Sequence, residues 1–218
     1  MKTKAIQLIS KFTLATFLIF VSSCSNESLD SDLTDMSKPS IYELINNTQN
    51  ASASRNGAPK KGDDAIATIA INGGFTQLVA ALSYVDSELE TGLVNLFLNG
   101  TDQYTVFAPT DDAFMDLYTT LGVNGIDELP ADLVLNVLLY HVTEGRRASN
   151  SVVPKNGYRN VQTLLELPFQ VSGEAEIMAI GNTANFVTDM NGDLAIDISA
   201  SNGIIHVIDT VILPIVVE

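Results

Sequence analysis

The chain carries one thiol, Cys24, and two imidazoles, His141 and His206. With no second cysteine there is no internal disulfide, so Cys24 is free to carry a modification. An imidazole can serve as a base or a metal ligand near neutral pH. Both histidines, however, stand in apolar runs, Leu139-Tyr140-His141-Val142 and Ile204-Ile205-His206-Val207-Ile208. In such runs the favoured reading is a hydrogen-bonded core histidine. The acidic pair Asp111-Asp112 could hold a metal or work as acid and base. It follows Thr110, whose hydroxyl can cap a helix, and two carboxylates in a first turn each stabilise it by about 0.3–1 kcal/mol. The cap is therefore preferred. Residues 188–193 offer oxygen ligands, but the distant glutamate of a calcium loop is missing, and Asn191-Gly192 reads as a hairpin turn. No GxSxG, HExxH, CxxC or lysine-bearing glycine loop occurs. No catalytic, metal or cofactor-binding residue is assigned, and the chain is expected not to be an enzyme. One further pattern is not random. From Asp63 onward the only cations are Arg146, Arg147, Lys155 and Arg159, within fourteen positions. Guanidinium forks suit anionic groups; the alternative is a solvated loop.

Cys24 gains meaning from what precedes it. Lys2, Lys4 and Lys11 lead into an apolar stretch, residues 12–21, too short to cross a bilayer, which takes about 20 residues. The stretch ends Val21-Ser22-Ser23-Cys24, an aliphatic residue, two small residues and a cysteine, the pattern of a bacterial lipobox. Residues 1–23 are thus expected to be a lipoprotein signal peptide, with Cys24 acylated. Two or more acyl chains anchor stably where one is marginal. Ser25 at the next position suits an outer-membrane lipoprotein, periplasmic or surface-exposed. Removing residues 1–23 takes away three lysines and no acid, leaving 8 basic against 26 acidic residues, net −18. That balance disfavours nucleic acid and bare anionic lipid as partners.

Residues 24–62 read as an anchor arm and linker, polar and then rich in Asn, Ser, Gly and Pro, with one short apolar helix face at Ile41, Leu44 and Ile45. Residues 63–218 read as one folded domain. Asp63 or Asp64 is placed to cap a helix over 65–71. Phe75, Leu78, Val79 and Leu82 mark a second helix, and Leu89, Leu93, Leu96 and Phe97 a third. Tyr104-Thr105-Val106-Phe107-Ala108 is a buried strand stopped by Pro109. Phe114, Leu117, Tyr118 and Leu121 then form one helical stripe. Pro130 opens a helix whose residues 133–142 are apolar nearly all round, hence buried. Strands are expected at 161–164, 169–171, 177–180, 185–187, 194–198 and 203–213. Helices first and strands later indicate α+β.

Three blocks then stand out. They are Thr105-Val106-Phe107-Ala108-Pro109-Thr110-Asp111 with Ala113-Phe114, Leu139-Tyr140-His141, and Asn202-Gly203-Ile204-Ile205-His206-Val207-Ile208-Asp209 with Leu213-Pro214. In this order and spacing the chain resembles a fasciclin-like domain, from about Asp63 to Glu218. The resemblance implies a wedge of mostly antiparallel β-strands with packed helices, no obligatory cofactor, and a role in adhesion to a surface or matrix glycan or protein. In some members the tyrosine-histidine element contacts receptors, which here would fall on Tyr140 and His141. Residues 190–196 depart from the pattern as an inserted hairpin. The expectation is a lipid-anchored envelope adhesion module, in contact with the membrane through Cys24 and with a glycan or protein through Tyr140, His141, Arg146, Arg147, Lys155 or Arg159. The competing classes are a periplasmic small-ligand carrier and a carboxylate-based hydrolase; a deep pocket around His141 would favour these.

Overall fold

The computed structural model describes residues 60–188 and 192–216. Cys24, the signal segment and the arm up to residue 59 lie outside them, as do residues 189–191 ahead of Gly192.

Among the described residues, three helices come first: α1, Ile66–Asn72, α2, Thr76–Leu89, and α3, Leu93–Asn99. No acid caps α1. Its first amide, Ile66 N–H, donates to Asn202 Oδ1 at 2.8 Å, so the cap comes from the far end of the chain. Leu89 closes α2 rather than opening the third helix, because Glu90 turns left-handed at φ 52°. Asp86 bridges the corner, accepting from Leu93 N at 2.8 Å and Val94 N at 2.9 Å. These bonds to the charged form hold its carboxyl below the ordinary range, although burial opposes them.

Strand β1, Tyr104–Pro109, leads into α4, Asp111–Leu121. Thr110 Oγ1 accepts from Ala113 N at 3.3 Å, the expected cap. Asp111 does more than line its own helix. It accepts from Gln77 N at 2.9 Å and from the Thr76 hydroxyl, and so caps α2 as well. After a 3-10 turn, Ile126–Glu128, comes α5, Ala131–Tyr140. The apolar run expected to continue the helix breaks at His141, and Val142 begins β2, Val142–Glu144. A single-turn helix α6, Ser149–Val152, precedes β3, Tyr158–Gln162, β4, Pro168–Ser172, β5, Glu176–Met178, and β6, Thr183–Asn185. The chain ends through β7, Ile198–Ala200, and β8, Gly203–Ile208.

Two four-stranded sheets result. One has the order β2-β1-β8-β7, the other β3-β4-β5-β6. All pairings are antiparallel except β1 with β8, which run parallel with Phe107 opposite His206. Apart from half-buried Tyr104, both central strands are buried along their length, as expected for strands covered on both faces. Alternation along them divides the interior. Val106, Ala108, Ile205 and Val207 face the helices. Phe107 and Ile208 face the second sheet, where they meet Val161, Phe169, Val171 and Ile177. Gly203 lets the parallel pair close: a Cβ there would lie 2.1 Å from the Tyr104 carbonyl oxygen.

Candidate functional site

Tyr140 and His141 end α5 at the seam between the two interiors, and both are buried. Successive residues at a helix end point different ways. Tyr140 enters the sheet-to-sheet core, edge-on to Phe169 at 5.9 Å between ring centroids. Its hydroxyl donates to Pro168 O at 3.2 Å and accepts from Ile180 N at 3.4 Å. Burial pushes the phenol above its ordinary range. His141 turns toward the helices. Its Nδ1 lies 2.7 Å from Val137 O, and its Nε2 accepts from Ile212 N at 3.0 Å. An acceptor at Nε2 fixes the neutral ring with its proton on Nδ1. Burial drives this histidine down to about 4, against the Val137 carbonyl, which favours the charged form. Both side chains are therefore spent on the fold, with no atoms turned to the surface for a partner.

His206, the other imidazole, is fully buried beside Phe107 and Phe186. Nε2 lies 2.9 Å from Arg147 O, and Nδ1 accepts from Asp197 N at 3.2 Å. It too is pinned neutral, and burial lowers its pKa. Asp197, held at φ 62°, caps α6 through Ser149 N at 2.7 Å and the Ser149 hydroxyl.

The four cations differ. Arg146 is consumed by main chain: Nη1 donates to Ala200 O at 2.9 Å and to Gly203 O, and Nη2 to Lys60 O at 3.3 Å and to the Ser199 hydroxyl. Its Nε is buried without a hydrogen-bond partner among the described residues. Arg147 and Arg159 each spend one recorded bond on a carbonyl, Glu144 O at 3.0 Å and Asn150 O at 3.1 Å. A guanidinium has five donors. Arg159 reaches α6 from β3, whereas Arg147 and exposed Lys155 flank that helix in sequence, two residues before and three after it. Tyr158, next to Arg159, is 67% exposed. Nothing in the sequence distinguished it from a core tyrosine except its place beside Arg159.

His141 also lines two cavities. One, of about 50 Å³, opens among α1, α2 and α3; the other, of about 200 Å³, lies among α2, α4, α5 and residues 211–216. Among the described residues, His141 is the only titratable side chain in either wall. Neither cavity has converging acids and bases of the kind an enzyme needs. Asp209, at a third depression of about 300 Å³ with Asp116, accepts from Asn185 N at 2.8 Å and Asn185 Nδ2 at 3.1 Å. Among the described residues, no group of three His, Cys, Asp or Glu could hold a metal ion. No described helix is long and apolar enough to cross a membrane.

A family model described as Fasciclin domain matches residues 73–214. Immunogenic protein MPB70 of Mycobacterium bovis is 34% identical over 154 residues, 69% of each chain. Protein sll1483 of Synechocystis is 32% identical over 156 residues, 70% of this chain and 76% of that one. Cell surface glycolipoprotein MPB83 of M. bovis is 28% identical over 153 residues, 69% of this chain and 61% of that one. Among solved structures, a FAS1 domain pair from the insect cell adhesion molecule fasciclin I superposes with a TM-score of 0.51 at 17% identity, covering 69% of this chain and 51% of that one.

Proposed function

The chain belongs to the fasciclin-domain family, and from that premise we propose that it is a cell-envelope adhesion module, held to the outer membrane by an acylated Cys24 and binding an acidic surface glycan. Residues 1–23 are its signal peptide, 24–62 its arm and 63–218 its binding domain. The observation that carries the ligand class is that Arg159 binds α6 at Asn150 O while Arg147 and Lys155 flank that helix in sequence, in a domain otherwise acidic. An anionic polymer has few other places to settle. A relative bearing the name of a cell-surface glycolipoprotein supports the location. Tyr140 and His141 take no direct part, because they are buried, and Arg146 none, because its donors hold main chain.

Each exposed ion pair contributes only about 0.2–1 kcal/mol, so affinity must be shared among the three cations and fall with salt. Reversing Arg147, Lys155 and Arg159 to glutamate together abolishes retention on acidic polysaccharide and leaves the melting temperature nearly unchanged. Absence of any salt-sensitive affinity in the parent protein rules the glycan reading out. Anchoring is read separately: Cys24→Ser loses fatty-acid labelling and partitions into the aqueous phase of a detergent extract. Persistent labelling of that variant rules the anchor out.

A further inference from the structure

The larger cavity beside His141 has a floor and a rim of different character. Its floor is closed by side chains that are all buried, among them Leu78, Phe114, Val134 and Leu138. Its rim is built from Leu117, Leu129 and Leu133, which remain only partly buried, and from Ile215 and Val216, which are 49% and 66% exposed. The walls are thus apolar from floor to mouth. Half-covered leucines around a void are apolar surface that has not found a neighbour, and filling the void removes it from water. The one imidazole in the wall has both nitrogens engaged, so it offers nothing to a polar ligand. A void without polar partners does not hold ordered water, and an engineered apolar cavity of about 150 Å³ takes up benzene. At about 200 Å³ this one has room for the end of an alkyl chain.

The surroundings decide the head of such a ligand. Asp116 and Asp209 line a neighbouring depression that shares Leu117, Val211 and Leu213 with this cavity. Asp127 lies close enough to Tyr118 to raise its pKa, after burial and Asp111. Among the described residues, no lysine or arginine lines the cavity. A carboxylate or phosphate at the mouth would face like charge with no cation to answer it.

We propose that this cavity, between α2, α4 and α5, binds the hydrocarbon tail of a single-chain amphiphile with an uncharged head. The tail enters past Ile215 and Val216 and ends against Leu138 and His141. The head stays in water at the acidic rim. This site is separate from the cations around α6, and it does not depend on the glycan reading.

The test titrates the full chain with N-phenyl-1-naphthylamine, an uncharged apolar fluorophore, and then competes it with 1-decanol and with decanoate. Saturable binding, with displacement by decanol at a concentration at least tenfold below that of decanoate, is expected. Val137→Trp, which fills the cavity, and Ile215→Asp, which places a charge at its exposed mouth, each reduce probe affinity at least tenfold. The second variant changes a surface residue, so it reports even if the first does not fold. Absence of saturable binding, equal displacement by decanoate, or unchanged binding in folded Ile215→Asp overturns the proposal. Sedimentation as a dimer that Ile215→Asp dissociates also overturns it, by assigning the cavity to a second copy of the chain.

Discussion

The two interiors on either side of the β1–β8 pair are packed on different plans. Between the sheets, Phe107 stands edge-on to Phe169 at 4.9 Å, with Phe186 and His206 within 6.3 Å of it, and every one of these rings is buried. On the helical side the contacts are mostly aliphatic, and voids remain beside His141. One core is built on ring contacts; the other leaves cavities among aliphatic side chains. Tyr140 and His141 join them, one residue serving each. The difference shows that a fold can assign aromatic packing and vacancy to opposite faces of a single sheet.

Truncation breaks or sharpens this contrast most directly. Phe107→Ala is expected to cost about 3–5 kcal/mol, the range for a fully buried aromatic, read from denaturant melts. A loss below about 2 kcal/mol would mean that the aromatic core relaxes as readily as the helical one.

Acid should come next, because each core holds a neutral histidine. For both, the folded pKa is depressed below the unfolded 6.5, so the unfolded chain takes up the proton first. Their contribution is complete above about pH 6.5 and is lost as pH falls toward the folded value. For His141 the gap from 6.5 to about 4 corresponds to about 3 kcal/mol. Melting temperature should therefore fall between pH 6.5 and 4 in the parent, and less steeply in His141→Gln. Parallel curves would assign the acid sensitivity to His206 or to the carboxylates.

Leu133→Ala on the cavity rim should have the smallest effect, about 1 kcal/mol or less, since a half-buried leucine has only part of its side chain to lose from the core. A cost equal to that of Phe107→Ala would erase the distinction between the two interiors.

What the sequence made legible was local. Thr110, Asp111 and the Phe114 stripe carry their strand-corner-helix meaning within fifteen residues, and the observed cap agrees. The blocks around Tyr104, Tyr140 and Asn202 are enough to place the family. What could not be read depends on residues far apart in the chain. The parallel pairing sets Tyr104 opposite Gly203, and the α1 cap joins Ile66 to Asn202 across 136 positions. Asp63 or Asp64 is the obvious local acceptor for that cap; tertiary packing supplies Asn202 instead. The second role of Asp111, at α2, is hidden for the same reason. The cavity was invisible because Leu117 and Leu133 satisfy the apolar period whether or not the volume beside them is filled. The cations clustered in sequence do not share one role, since only the structure shows Arg146 turned inward upon Ala200 and Gly203.

Arg146 also fixes where traction enters the domain. Its guanidinium and the Ser199 hydroxyl both hold the Lys60 carbonyl, and Gly62 N–H donates to Ala200 O at 3.3 Å. Any pull arriving from the N-terminal side first loads these bonds at the end of β7, an edge strand. The next grip is Asn202, which binds Ile66 N and donates to Phe97 O at 2.9 Å, and which runs straight into β8. Load therefore passes from a peelable edge to the central parallel pair. There β1 and β8 would be drawn along their length and resist in shear. In a chain held from its N-terminal side, the weak bonds would lie outside and the strong ones in series behind them, so the edge could yield and re-form while the sheet beneath stays intact.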